Sequence, residues 1–326
     1  MISRRSVLAA GVLAPVGWTA AAETRYPARS VTVVNPFAAG GQSEPIGRIV
    51  SAHFQSVLGQ PFVMENRVGA GSTIGGQYVV RSAPDGYTLL LGTTSTFTIA
   101  PYVYRPQPYD PITNLAPIIA LTEAPTVLVA SEKSGFQSLE DLVRAAKREP
   151  GRVTVASAGV GSFPHVFAEV FSSLVGMRLT HVPYRGGGPA MNDILSGQVD
   201  LFFEVITTAA PQVQSKRAFA LLATGKARSS LLPDVPTASE LGYPGLNLTS
   251  WTGLAAAAGT PARIVELLNK EANVVLQSDR MTDLLAHLGI RSVGGSSAKM
   301  AERITRRRTS TKVSSQAGRF PCSERM

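Results

Sequence analysis

The sequence predicts an α/β protein with length enough for two domains. Three observations carry that expectation. Short β-rich runs alternate with helix-like runs along most of the chain, and such alternation implies parallel sheets with helices on their faces. The 326 residues are 44% hydrophobic and 16% charged, which suits well-packed globular domains. One type of strand-to-helix turn, Gly-x-x-Ser-x-Pro, also occurs twice, the copies 119 residues apart.

The elements follow in order. Val31 to Val34 form a β-branched run, and a helix over 43–58 follows, with Ile46, Ile49, Val50, Phe54, Val57 and Leu58 on one face and Gly59 placed to end it. A strand at 61–64, a helix over 72–81 and a strand at 87–92 come next. Strands at 126–130 and 153–156 flank a helix over 138–148. The helix expected over 164–175 presents Phe167, Val170, Phe171 and Leu174 on one face and stops at Gly176. A helix over 189–196 leads to strands at 199–203 and 219–223. Thr237-Ala-Ser-Glu240 fits a capping box. Thr260 then caps a helix over 261–277 that has Pro261 at its first position.

The repeated turn reads "NPFAAGGQSEPIG" at 35–47 and "ASAGVGSFPHVFAEVF" at 156–171. Glycine lets the backbone approach a ligand. Serine caps the helix or gives its hydroxyl to an oxyanion. Proline in the first turn lacks an N–H that the helix would leave unpaired anyway. The free N–H groups that remain carry the positive end of the helix dipole, worth about 0.3–1 kcal/mol toward an anion. One such end holds nothing at micromolar affinity, which takes about 8 kcal/mol. Two ends from opposing domains, with hydrogen bonds and cleft closure, reach that range. The alternative is two well-capped helices without a ligand. A third turn, "HVPYRGGGPAMNDIL" at 181–195, offers Arg185 either as a cation for the ligand or as an ordinary surface residue.

Charge and composition exclude several function classes. The formal charge is +9, yet it sits at the two ends: Arg4 and Arg5 with no acid in residues 1–22, and six basic residues against Glu324 in 305–326. The near-neutral body offers no concentrated basic face for a nucleic acid. Residues 1–22 read as an export signal: a charged start, an apolar run from Val7 to Gly17, and Ala20-Ala21-Ala22 for cleavage before Glu23, by the general or the twin-arginine route. Cys322 is the one cysteine, and the four histidines, His53, His165, His181 and His287, have no metal-site spacing. We therefore expect no metal, no cofactor and no disulfide. "GAGSTIG" at 69–75 approximates a dinucleotide fingerprint but lacks the later acid, so a structural turn is the better reading. The P-loop and the Gly-x-Ser-x-Gly elbow are both missing.

Taken together, "NPFAAGGQSEPIGRIV", "VMENRVGAGSTIGG", "APDGYTLLLGTTST", "VASAGVGSFPHVFAEVF", "HVPYRGGGPAMNDILSGQVDLFFE", "RSSLLPDVPTASELGYPG" and "SWTGLAAAAGTPARIVELLN" resemble, in order, the substrate-binding proteins of tripartite tricarboxylate transporters, the TctC-like Bug receptors. The resemblance covers residues 23 to about 304. It implies a two-lobed periplasmic-binding-protein (type II, Venus flytrap) architecture with hinge crossover strands: lobe 1 from 23–120 plus 248–304, lobe 2 from 121–247. It implies a periplasmic receptor without catalytic activity or cofactor. A small organic acid or related solute would sit between the lobes, and the partners would be membrane transporter subunits or a sensor protein, with no nucleic acid. The implied contacts are Phe37, Gly41, Gln42, Ser43, Thr94, Ser95, Ala158, Gly161, Ser162, His165 and Glu204. Glu44 and Glu204 stand where the family usually has Asp. Residues 305–326 lose apolar periodicity, so we expect an atypical, disordered basic tail from a shifted reading frame. Two rival readings remain open: a periplasmic hydrolase or lyase using Glu204 or His165, and a non-binding remnant with a frameshifted end.

Overall fold

The computed structural model describes residues 26–41, 43–225, 227–246 and 248–316, with backbone alone for 307–316. The export-signal segment 1–22, Gln42 and residues 317–326 with Cys322 lie outside the described residues.

Eleven strands and ten helices are described. The strands are β1 (Val31–Asn35), β2 (Phe62–Asn66), β3 (Thr88–Thr93), β4 (Leu115–Ala124), β5 (Thr126–Ser131), β6 (Thr154–Ser157), β7 (Thr180–Pro183), β8 (Leu201–Val205), β9 (Ala218–Ala223), β10 (Ser250–Ala257) and β11 (Arg291–Ser292). The helices are α1 (Ser43–Leu58), α2 (Thr73–Val80), α3 (Ala100–Val103), α4 (Leu139–Arg148), α5 (Phe163–Val175), α6 (Gly187–Ser196), α7 (Ile206–Gln214), α8 (Ala262–Leu276), α9 (Asp279–His287) and α10 (Ser297–Gln316).

Two sheets result. The first runs β11-β4-β10-β3-β1-β2 and the second β7-β6-β8-β5-β9. Each has helices on both faces. In the first, Ile46, Val50 and Phe54 of α1 and Leu268 of α8 pack with Leu89 and Leu91 on one side. Val79 of α2 and Met300 of α10 pack with Leu90 and Trp251 on the other. In the second, Phe167 and Phe171 of α5 pack with Phe203 on one side, and Ala190 and Ile194 of α6 with Phe202 on the other. Coverage on both faces explains why β5, β8 and β10 are buried at every residue.

The sheets are mixed, not parallel as the alternation implied. β1 pairs β2 and β3 in parallel, and β6 pairs β7 and β8 in parallel. β10 runs antiparallel to both β3 and β4, and β5 antiparallel to both β8 and β9. The antiparallel strands are those at which the chain changes sheets. β4 ends at Ala124, Pro125 intervenes, and β5 begins in the other sheet, so a boundary at residue 120 falls inside β4. The return runs from β9 to β10. The two crossings are tied together: Thr126 N–H donates to Thr224 Oγ1 at 2.8 Å, and Thr224 N–H donates to the Thr126 carbonyl at 2.7 Å. Beside them, Glu123 accepts from Thr249, Arg291 and Arg303. Burial opposes its ionisation, but the Thr249 hydroxyl and the two guanidinium groups hold its carboxyl below the ordinary value.

Helix starts follow local chemistry with two corrections. The Thr237–Glu240 box forms both of its bonds, at 2.7 and 3.1 Å, yet only a turn follows it. Thr260 gives its hydroxyl back to the Ala257 carbonyl at 2.7 Å, and Pro261 takes the cap position of α8. The backbone of α10 runs on to Gln316, where the sequence led us to expect a disordered tail from 305. Arg306, Arg307 and Arg308, good helix formers, carry the backbone past Ile304, the last buried residue among the described side chains.

Candidate functional site

Both Gly-x-x-Ser-x-Pro turns lie at the carboxyl end of a strand and open a helix, and they meet across the gap between the sheets. In the first, β1 ends at Asn35. Asn35 Nδ2 donates to Asn66 Oδ1 and to the Phe37 carbonyl, and Asn35 Oδ1 accepts the Ser43 hydroxyl at 2.9 Å. Glu44 folds back instead of facing a ligand. Its carboxylate accepts the Gly40 N–H at 2.7 Å and binds Arg48, which together hold it below its ordinary pKa.

In the second turn, Ser162 caps α5 without using its side chain, and its fully buried Oγ has no hydrogen-bond partner. The Phe163 N–H donates to Ser95 Oγ at 2.8 Å, so a first-lobe side chain already occupies one of the free donors of α5. His165 Nδ1 accepts the Gly161 N–H at 3.2 Å. His165 stacks on His181 with ring centres 4.0 Å apart, and His181 Nε2 lies 2.6 Å from Ser157 Oγ. Burial pushes both imidazoles down to about 4, with His181 adding to the effect on His165. Both are neutral props for the loop at neutral pH.

The lobes are closed on each other. Tyr104 Oη donates to the Val160 carbonyl at 2.9 Å. The turn at 69–72 lies against Val160 so closely that a Cβ on Gly71 would stand 2.1 Å from the Val160 oxygen.

A small cavity remains between the turns. The first lobe supplies Phe37, Gly41, Ser43, Thr93 and Ser95. The second supplies Ala158, Phe163, Pro164, Gly187 and Glu204, and the crossings supply Thr126 and Ser250. Glu204 is the one ionisable side chain in the wall among the described residues. Its Oε1 accepts the Val205 N–H at 2.7 Å, and its Oε2 lies where a Cβ on Gly187 would be 2.4 Å away. An acid one methylene longer than Asp therefore fits because Gly187 leaves room at the start of α6. Burial pushes the Glu204 carboxyl up to about 7, against smaller pulls from the Val205 N–H and the Thr208 hydroxyl. Thr126 Oγ1 has no hydrogen-bond partner and is fully buried. A ligand oxygen here would meet two helix starts, the Ser95 and Thr126 hydroxyls and a carboxyl that carries a proton below about 7.

Of the residues expected at the site, Phe37, Gly41, Ser43, Ser95, Ala158 and Glu204 form the wall. Thr94, Gly161, Ser162 and His165 stand behind it. Thr94 Oγ1 accepts the Trp251 N–H at 2.9 Å, and Gly161 lies against Tyr104, Ala100 and Val103. The Ser43 hydroxyl, expected either to cap the helix or to bind an oxyanion, donates its proton to Asn35. Sequence reasoning missed Thr126, Gly187 and Ser250. Only Gly187 carried a signal, in its Gly-rich turn before a proline.

Ser43→Ala is expected to cost about 0.5–1.5 kcal/mol of stability through the lost Asn35 bond. Thr126→Val removes an unpaired hydroxyl at nearly constant volume. It should leave the melting temperature unchanged or higher, and weaken ligand binding by about tenfold. Calorimetry and thermal melts of both variants separate the two roles.

Residues 46–313 match the profile of the tripartite tricarboxylate transporter family receptor. The protein BugT of Bordetella pertussis is 36% identical over 284 residues, which is 87% of this chain and 86% of BugT. Two solved structures from Rhodopseudomonas palustris are each 32% identical. One, Rpa4515 with adipate, has a TM-score of 0.85 and covers 90% of this chain and 98% of its own. The other, MatC with bound malate, has a TM-score of 0.84 and covers 88% and 98%.

Proposed function

Because the chain belongs to the tripartite tricarboxylate transporter receptor family, we propose that it is a periplasmic receptor for a small carboxylate-bearing solute, delivering it to the membrane subunits of such a transporter or to a sensor. The observation that carries the reading is the meeting of two helix N-termini, α1 and α5, from opposite lobes on one closed cavity. Together they favour an anion. The wall holds no lysine or arginine among the described residues, so recognition rests on backbone N–H groups, hydroxyls and Glu204, whose carboxyl carries a proton below about 7. The bound adipate and malate of the two similar structures fit this chemistry. The export-signal reading of residues 1–22 supports the periplasmic location. Among the described residues no helix is long and apolar enough to cross a membrane.

A receptor accounts for the site better than an enzyme does. Ser157 and His181 are within hydrogen-bonding distance, but Ser157 is fully buried outside the cavity wall and also accepts the Gly159 N–H. Glu204 has no basic or nucleophilic partner in the wall. The test is a thermal-shift screen against mono-, di- and tricarboxylates, amino acids and pyridine carboxylates, with the ligand recovered afterwards. At a concentration of one hundred Kd a true ligand adds about 2.7 kcal/mol and comes back unchanged. Conversion of the ligand would support the hydrolase or lyase reading. A flat screen would support the vestigial one.

A further inference from the structure

Glu123 stands at the first crossing between the sheets, one residue from the end of β4, in register with Trp251 of β10 and Arg291 of β11. Its side chain is 12% exposed and gathers donors from three other segments: Thr249 Oγ1 from the return crossing, Arg291 at 3.2 Å, and both Nη atoms of Arg303 of α10 at 3.4 Å. The two arginines differ. The Arg291 side chain is 78% exposed, where an ion pair contributes little. That of Arg303 is 25% exposed, so its pair is screened less. Arg303 also lies over the Trp251 indole, 5.7 Å from the ring centre, and Met300 and Ile304 of the same helix pack in the cluster that holds Trp251. Two short routes lead from there to the cavity wall. The Trp251 ring stacks on Phe97 at 5.2 Å and its N–H donates to Thr94, and these two flank the wall residue Ser95. Thr249, bonded to Glu123, precedes Ser250, which is itself in the wall. Neither Glu123 nor Arg303 lines the cavity.

We propose that Glu123 and Arg303 are positioning residues for ligand binding: they clamp both crossings to α10 and, through Trp251 and Thr249, hold Ser95 and Ser250 where a ligand oxygen meets them. This rests on the receptor reading above. Hinges act through a few residues at element ends, and Glu123 and Thr249 are such residues, one on each crossing. Charge-assisted bonds from a helix of the first lobe fix that side of the hinge, so that closure brings the Phe163 N–H to Ser95 in one arrangement. Loosening the clamp lets the wall adopt several arrangements, and the apparent affinity falls by the fraction that stays competent.

Calorimetry and fluorescence with adipate and malate as probes test it on the full chain carrying Trp18→Phe, which leaves Trp251 as the one tryptophan. Glu123→Gln and Arg303→Gln are each expected to weaken binding by about tenfold. The double variant should bind little more weakly than Glu123→Gln, because both changes break one pair. Arg303→Lys keeps the charge and should recover part of the loss, and Arg291→Gln should stay within about twofold of the unaltered protein. Trp251 emission should shift in Glu123→Gln and in Arg303→Gln without ligand. Affinities unchanged in both variants, or losses that simply add, would overturn the clamp while the receptor reading stands. An unshifted emission in both would overturn it whether or not a ligand is bound. If the unaltered protein binds neither acid, the receptor reading fails for these probes, and the emission alone decides the clamp.

Discussion

Carboxylate binding is expected to weaken as the pH rises through 7, by up to about tenfold per pH unit, and Glu204→Gln to flatten that profile. Glu204 is the only ionisable group in the cavity wall among the described residues. Below about 7 it carries a proton that can be donated to a ligand oxygen; above, it presents a negative charge to a negative ligand. Binding the anion then requires uptake of one proton. His165 and His181 do not contribute to this window, because burial keeps both neutral above about 4. The same group sets a stability trend. Its carboxyl rises from 4.5 unfolded to about 7 folded, so between those values the folded protein binds the extra proton. Stability is then highest below 4.5, falls as the pH rises toward 7, and stays lower above it by about 3 kcal/mol at most. Glu204→Gln should lose that decline. Calorimetry from pH 5.5 to 8.5 on both proteins decides it. A profile that is already flat in the unaltered protein would place the ligand carboxylate away from Glu204. An affinity that rises with pH would mean that the ligand presents an ammonium group to Glu204 instead.

Replacing Gly71 with Val should lower affinity by about a hundredfold or more, a larger effect than any substitution in the cavity wall. Gly71 has φ of 58°, in the left-handed region that a β-branched side chain resists. Its missing Cβ leaves room for the Val160 carbonyl, which would otherwise stand 2.1 Å away. That oxygen belongs to backbone of the other lobe and already accepts from Tyr104, so it cannot swing aside as a side chain would. The lobes must part, and the two helix N-termini no longer share one cavity. Each lobe keeps its own core, so the strained turn alone should cost about 1–3 kcal/mol of stability. Scattering would show whether the variant stays expanded when ligand is added. A compact, tightly binding Gly71→Val protein would show that the closed contact at Val160 is dispensable.

The site was legible where its chemistry is local. Ser43 and Pro164 of the wall were found because a strand, a glycine turn, a serine and an early proline follow one another within a few residues, and the same order occurs twice, whereas Gly41 and Ala158 came through the family resemblance. Their hydrogen-bond roles were not legible. Ser43 gives its proton to Asn35, eight positions away on the preceding strand, and His165 turns back to Gly161. A polar side chain has several partners within reach, and sequence spacing does not rank them. The Phe163 N–H likewise finds Ser95, sixty-eight positions away. Glu204 entered through its place in "GQVDLFFE" alone, since nothing nearby in sequence marks an acid that burial will keep protonated.

The sequence by itself determined six of the ten described helices, seven of the eleven described strands and the paired turns, because period, capping and glycine placement act over a few residues. It also determined what the wall lacks, since no cysteine cluster, P-loop or nucleophile elbow is encoded. Tertiary structure alone decided that β4, β5 and β10 run antiparallel to their neighbours and carry the chain between sheets. It alone put Thr126, the first residue after the crossing, into the cavity with its hydroxyl unpaired. Strand direction and burial on both faces depend on which distant segments share a sheet. That choice is made by the packing of the whole chain, and a buried run such as "TVLVAS" reads the same in either direction and on either face.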